Sequence, residues 1–303
     1  MKFEVTILGS SSATPIYNRN PTSQVLNINE RLYLIDCGEG TQQQMLRFDV
    51  RASRIDHIFI SHLHGDHYLG LIGLLSSLHL NGRKKTLKLF GPIHLKEIID
   101  LQFKYSETTL QYDIEFIATD PNKAQTIVTN DDVTIETIPL NHRIECTGFL
   151  FREKKRLRKL IKDELERIGV PVEHYTALKK GANYVNPEGK VYKNDTLTID
   201  SETPKTYVYC SDTLYSESYF DQINNVDLLY HEATFLHNML DRANETHHTT
   251  ALQAAEIAVK VHAKKLLIGH FSARYKSLDE LLEEAQSVFP NTALAIEGKT
   301  FVI

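Results

Sequence analysis

The run Ile58-Phe59-Ile60-Ser61-His62-Leu63-His64-Gly65-Asp66-His67 ends an apolar, β-rich stretch in three histidines and an aspartate. Side chains two positions apart share one face of an extended chain, so His62 and His64 point the same way. Gly65 permits a sharp turn that swings Asp66 and His67 back toward that point. Imidazole and carboxylate donors at this density suit zinc or a similar divalent metal, manganese and iron included. Three later groups share one habit: each stands just beyond a β-rich run. His142 follows residues 135–140, Asp212 follows 207–210, and His270 follows 266–268. Strand ends gathered at one edge of a layered sheet would bring all seven together. They divide between two metals. His62, His64 and His142 hold one, Asp66, His67 and His270 hold the other, and Asp212 offers one oxygen to each.

Two divalent cations, two aspartates and one hydroxide sum to about +1, which complements the single negative charge of a phosphodiester. A metal pair roughly 3.5–4 Å apart generates hydroxide near neutral pH and stabilises an in-line displacement. The leaving oxygen then needs a proton. His248 is the natural donor if Glu232 orients it and keeps its imidazolium available.

The elements that would position these groups follow from periodicity. Strand texture appears at 3–8, 24–28, 32–36, 55–60, 86–90, 114–118 and 133–140, with helical spacing at 42–48, 68–80 and 95–105. Strands alternating with helices, with polar residues at strand exits, indicate an α/β layered fold. From Phe151 the chain becomes densely basic and reads as a helix to Ile168, closed by Gly169-Val170-Pro171. Residues 152–204 read as an insertion projecting from the core, without the apolar content to fold alone. Strands resume at 206–210 and 226–230, and a helix over 251–262 is capped by Thr249 or Thr250.

Of the 303 residues, 42% are hydrophobic and 24% charged, as in an ordinary globular protein that buries a full core. The N-terminus carries charge inside its apolar run and reads as a strand, not a signal peptide, and no run approaches membrane-spanning length. Cys37, Cys146 and Cys210 form no disulfide framework and fit a reducing, cytoplasmic setting. A net charge of −5 does not mark a nucleic-acid binder, so any such role must rest on a local basic patch.

The pattern His62-Leu63-His64-Gly65-Asp66-His67, with Asp36, His142, Asp212 and His270, resembles the metallo-β-lactamase superfamily, whose fold is an αββα sandwich. Narrower markers resemble the ribonuclease Z (tRNase Z) family across essentially the whole chain, residues 1–303. They are Asp36-Cys37-Gly38-Glu39-Gly40-Thr41, His231-Glu232-Ala233-Thr234, His248-Thr249-Thr250 and His270-Phe271-Ser272-Ala273-Arg274-Tyr275. The resemblance implies a homodimeric endoribonuclease with two zinc ions per subunit. It would remove the 3′ trailer of precursor tRNA and leave a 3′-hydroxyl and a 5′-phosphate. It also implies Asp66 as general base, the His248–Glu232 pair as proton donor, and the 152–204 insertion as a flexible tRNA-binding arm. Lys154, Lys155, Arg156, Arg158 and Lys159 would contact phosphates there, and Arg274 would bind substrate near the site.

Three departures stand out. The family loop Pro-x-Lys-x-Arg-Asn appears as Pro15-Ile16-Tyr17-Asn18-Arg19-Asn20, so Tyr17 offers a base-stacking ring beside the substrate candidates Arg19 and Asn20. The arm's usual Gly-Pro-rich tip is reduced to Gly169-Val170-Pro171, and Thr249 replaces a serine. Two other functions compete: a small-molecule phosphodiesterase or ester hydrolase of the same superfamily, and an inactive RNA-binding subunit. The second is disfavoured because all seven ligand positions are occupied by competent residues.

Overall fold

In the computed structural model, which describes residues 2–303, the alternating strand Phe3–Gly9 buries Phe3, Val5 and Ile7 on one face. It seeds the first of two seven-stranded sheets found among the described residues. That sheet runs Thr300–Val302, Phe3–Gly9, Ser23–Ile28, Arg31–Cys37, Ile55–Phe59, Leu87–Gly91, Ile114–Ala118. Its first four strands pair antiparallel and the rest parallel. The second sheet runs Thr292–Leu294, Leu266–Gly269, Leu228–Glu232, Thr206–Cys210, Thr147–Glu153, Val133–Pro139, Thr126–Thr129, with its first four strands parallel.

The sheets face each other across an aromatic layer. Tyr33, Phe59 and Phe90 of one sheet meet Phe149, Phe151, Tyr207, Tyr209 and Tyr230 of the other. Phe59 lies 4.7 Å from Phe90 and 5.2 Å from Phe149 between ring centroids, contacts that each add about 0.5–1.5 kcal/mol beyond burial. On the outer face of the first sheet, helices Thr41–Arg47, Leu71–Leu80 and Leu95–Tyr105 cover an aliphatic cluster. On the other, helices Ala251–Lys260 and Asp279–Val288 do the same. This is the expected αββα sandwich.

Parallel strands all exit at one edge, so Cys37, Phe59, Cys210, Glu232 and Gly269 deliver their following residues to the same rim. The single helix expected over 68–80 is two: Gly65–Tyr68 and Leu71–Leu80. The break lies at Gly70, whose N–H donates to Cys37 O at 2.9 Å. A Cβ there would stand 2.2 Å from Gly38 O, so only glycine allows this approach. The sharp turn expected at Gly65 takes the form of a helical turn, Gly65–Tyr68. Thr250, not Thr249, caps Ala251–Lys260, in a capping box with Gln253.

The helix expected from Phe151 to Ile168 is also corrected. Thr147–Glu153 is a strand, because Phe149 and Phe151 alternate into the aromatic layer and pair with Tyr209 and Tyr207. Residues Lys154 to Lys159 carry five cations and no acid, so helical neighbours three and four apart would repel. Residues 154–158 take no regular secondary structure before the two-residue strand Lys159–Leu160, and of the expected helix only Lys162–Ile168 forms.

Glu153–Pro204 forms a compact unit of its own. It has a small apolar core of its own, Leu165, Val170, Leu178, Tyr184 and Leu197. Asn194 knits it together, with Nδ2 donating to Leu178 O at 2.8 Å and Ala182 O at 2.7 Å. No helix among the described residues is long and apolar enough to cross a membrane.

Candidate active site

Each of the seven candidate ligands reaches the common rim. After Ile55–Phe59 the chain passes through His62 to His64, whose backbone is extended, and the turn Gly65–Tyr68 then brings Asp66 and His67 around. Two sets of atoms result. In the first, His64 Nδ1 lies 3.0 Å from His62 Nε2 and 3.2 Å from His142 Nε2. Asp212 Oδ2 completes it, 3.5 Å from His62 Nε2 and 3.8 Å from His142 Nε2. In the second, His270 Nε2 lies 3.3 Å from His67 Nε2 and 3.2 Å from Asp66 Oδ2. Asp212 Oδ1 joins it, 3.4 Å from His67 Nε2 and 3.2 Å from His270 Nε2. One carboxylate thus turns a different oxygen to each set.

These spacings fit divalent cations. Four donors about 2.0–2.1 Å from a tetrahedral zinc stand about 3.3 Å from one another, and the observed separations scatter around that edge. Tautomers agree. His67 Nδ1 is 2.7 Å from Asp36 Oδ2, and His142 Nδ1 is 2.9 Å from His247 O, so both Nδ1 atoms carry the proton. The His67 Nε2 lone pair therefore faces carboxylate oxygens of Asp212 and Asp66 at 3.4 and 3.5 Å, an arrangement that calls for a cation. Asp212 Oδ1 is buried and finds no hydrogen-bond donor among the described residues.

Electrostatics point the same way. Burial pushes His62, His64 and His142 down, the last to about 4, so they stay neutral and coordinating. Burial disfavours the charge on Asp66 and Asp212, yet the surrounding imidazoles hold both well below the usual carboxylate range. Burial opposes charge on His67 too, but Asp212, Asp66 and Asp36 override it and drive it up. The pocket demands positive charge.

Glu232 is fully buried and satisfied. Oε1 accepts from His248 Nδ1 at 2.9 Å, Thr249 N at 3.0 Å and Thr213 N at 3.2 Å. Oε2 accepts from Thr234 N at 3.1 Å and Thr234 Oγ1 at 2.7 Å. Burial opposes charge on His248, but Glu232 and Asp212 outweigh it and raise it to about 9, so its imidazolium persists at neutral pH. Its ring is 5.3 Å from that of His270, at the lip of the second set.

Two supporting residues have roles that only the three-dimensional contacts reveal. Asp36, at φ 53, accepts from Ser61 N, Ser61 Oγ, Tyr209 OH and His67 Nδ1 within 2.6–2.8 Å, so it orients His67 and the chain entering His62. Thr234 Oγ1 donates to Glu232 and stands 2.9 Å from His270 Nδ1, which must then be the protonated nitrogen. Both lie inside motifs visible in the sequence, but nothing there says which neighbour each touches. Thr249 Oγ1 donates internally to Thr213 O at 2.6 Å and is buried.

The substrate candidates divide. Tyr17 is 48% exposed, and Arg274 is exposed with no ion pair among the described residues. Arg19 is half-buried, its guanidinium donating to Tyr275 O at 2.8 Å, and the Asn20 backbone is clamped. In the unit Glu153–Pro204, Arg158 pairs with Asp200 at 3.4 Å and donates to Thr198 Oγ1 at 2.7 Å. Lys155 also faces Asp200, at 3.6 Å, and Arg156 lies 3.6 Å from Glu153. Lys154 and Lys159 form no ion pair among the described residues, and Lys159 is exposed.

A protein-family model described as Anti-Pycsar protein Apyc1 matches residues 3–158, which include the histidine cluster and end before Asp212, Glu232, His248 and His270. Ribonuclease Z of Bacteroides fragilis is 47% identical, covering 98% of this chain and 98% of its own. Ribonuclease Z of Phocaeicola vulgatus is 48% identical, covering 98% and 96%. The crystal structure of human tRNase Z, short form, superposes with a TM-score of 0.71 at 25% identity over 99% of each chain. The metallo-beta-lactamase fold protein YhfI from Bacillus subtilis shares the fold, with a TM-score of 0.68 at 21% identity over 99% of this chain and 98% of that one. With the double cluster and the Glu232–His248 pair in place, the chain belongs to the ribonuclease Z family on the metallo-β-lactamase fold, and through residues 3–158 also to the family described as Anti-Pycsar protein Apyc1.

Proposed function

We propose that the protein is a metal-dependent endoribonuclease that removes the 3′ trailer of precursor tRNA, leaving a 3′-hydroxyl and a 5′-phosphate. The observation that carries this reading is the buried Glu232–His248 pair beside two donor sets, in a chain 47% identical to a ribonuclease Z over 98% of its length. Two zinc ions per chain are the fitting occupants, held by His62, His64 and His142 and by Asp66, His67 and His270, with Asp212 between. Bound there, such a pair supplies hydroxide near neutral pH and neutralises charge building on the phosphoryl oxygens.

The chain's own residues do the rest. Asp66, with Oδ2 fixed by Ala13 N at 2.7 Å and turned to the second donor set, would use its other carboxylate oxygen to orient the attacking water and take its proton. His248, held by Glu232 with Nδ1 as donor, keeps Nε2–H for the departing 3′ oxygen. Tyr17 and Arg274 face solvent as contacts for a base and a phosphate. The unit Glu153–Pro204 carries 11 Lys and Arg against 9 Asp and Glu, inverting the acidic balance of the chain, and Lys154, Lys155 and Lys159 stand at its start. It serves as the arm that grips tRNA phosphates. A homodimer in the cytoplasm completes the reading. Leu46 and Leu80 are each 81% exposed, apolar surface that a second copy would cover, and the three cysteines are free. Light scattering that returned a single-chain mass would contradict the dimer.

The arm separates this reading from a small-molecule hydrolase using the same cluster. Arg152 pairs with Thr206 across adjacent strands, so residues 153–204 can be replaced by a short Asn-Gly turn. The shortened protein should hydrolyse bis(p-nitrophenyl) phosphate within twofold of the full chain. Its cleavage of pre-tRNA should fall by more than about 100-fold, as losing several phosphate contacts implies. Unchanged pre-tRNA cleavage would show that the arm has no part in substrate binding.

A further inference from the structure

Tyr17 and Asn18 form the tip of a two-residue hairpin. Ile16 N donates to Arg19 O at 3.0 Å and Arg19 N to Ile16 O at 2.8 Å, while φ is 52° at Tyr17 and 64° at Asn18. Positive φ at both central residues is the geometry that normally selects Asn and Gly, and tyrosine enters it only under constraint. A strained turn persists where its surroundings over-determine it, and here the surroundings sit at its base. Asn20 O accepts from Ser10 N at 3.0 Å and Ser11 N at 2.9 Å, and the Arg19 guanidinium binds Tyr275 O. The remaining anchor is a carboxylate from the far end of the chain: Asn20 N donates to Glu297 Oε1 at 2.6 Å.

Glu297 is itself fixed. Gln44 Nε2 donates to Glu297 Oε2 at 2.7 Å and to Leu8 O at 2.9 Å. Its turn is tied to the first strand through Gly298 N→Ile7 O at 2.8 Å, and a Cβ on Gly298 would meet Phe48 at 2.5 Å. Burial pushes the Glu297 carboxyl up to about 7, against the donors from Asn20, Ser10 and Gln44 and the charge of Arg19. A group kept at that electrostatic cost has a positional role to account for.

We propose that Glu297 is a positioning residue that acts through the Asn20 backbone to hold the strained Tyr17–Asn18 turn, presenting the Tyr17 ring as a stacking surface for a base of the RNA substrate. This rests on the tRNA-processing reading above. The catalytic cluster meets this loop elsewhere, at Ala13, so the two effects are separable.

The test compares wild type, Glu297→Ala and Glu297→Gln as metal-loaded proteins. In Glu297→Ala, hydrogen exchange at the Asn20 amide should quicken at least tenfold. KM for pre-tRNA should rise at least about fivefold, the low end for one lost base–aromatic stack, with kcat and bis(p-nitrophenyl) phosphate hydrolysis within twofold. Glu297→Gln keeps a carbonyl acceptor for Asn20 N, so it should restore both protection and KM to within about threefold, and it reads the role even where the alanine variant folds poorly. Unchanged Asn20 exchange, a wild-type KM, or a parallel loss on both substrates would overturn the proposal. Wild-type protein that left pre-tRNA uncut would instead overturn the tRNA reading, while Asn20 exchange would still decide whether Glu297 holds the turn.

Discussion

Asp212→Ala is expected to leave a folded protein that no longer retains two metal ions and no longer cleaves pre-tRNA. Its carboxylate has Oδ2 near His62 and His142 and Oδ1 near His67 and His270, so no other residue can take its place. Without it, each histidine set loses its shared anion, and the two cations would repel with less intervening negative charge. The loss of affinity should exceed the 10–100-fold that follows from removing an outer-shell partner. Elemental analysis after gel filtration reads it directly. Wild type should carry about two equivalents and the variant less than one. Full double occupancy in the variant would remove Asp212 from the bridge.

His248→Ala should separate metal binding from chemistry. His248 clusters with Asp212 and His270 but belongs to neither of the two donor sets and is held by Glu232, so its removal leaves both sets intact. Metal content should therefore stay at the wild-type level. Pre-tRNA cleavage should slow about 10²–10⁴-fold, the usual contribution of a positioned acid. Nitrophenolate leaves without a proton, so hydrolysis of bis(p-nitrophenyl) phosphate should suffer much less. A wild-type rate on pre-tRNA, or equal losses on both substrates, would contradict the acid role.

The site was legible to the extent that its chemistry sits at strand exits. His142, Asp212 and His270 each follow a β-rich run, and parallel strands sharing one direction bring such exits to one rim. The layered α/β class followed from the same alternation, whereas the αββα sandwich was implied only by the family resemblance. What stayed hidden is what depends on contacts between distant segments. Asp36 reads as one more strand-end aspartate, yet its four hydrogen bonds come from Ser61, His67 and Tyr209, 25 to 173 residues away. Arg19 looks like a substrate cation and is occupied by backbone carbonyls of Ser272 and Tyr275. Local pattern also misled where tertiary packing overrode it. The basic run after Phe151 has helical residues, but the aromatic layer claims Phe149 and Phe151 for a strand. The unit beyond it folds around five apolar side chains spread over more than thirty residues, too sparse to stand out as a core.

Cleavage of precursor tRNA at its 3′ end is the activity expected of this cluster. Purified, metal-analysed protein incubated with pre-tRNA bearing or lacking an encoded CCA, followed by end mapping, tests it most directly. One endonucleolytic cut is expected at the 3′ boundary of the mature tRNA, with a 3′-hydroxyl on the tRNA, a 5′-phosphate on the trailer, and loss of cutting on chelation. Intact pre-tRNA in the presence of two bound metals and active hydrolysis of bis(p-nitrophenyl) phosphate would contradict it.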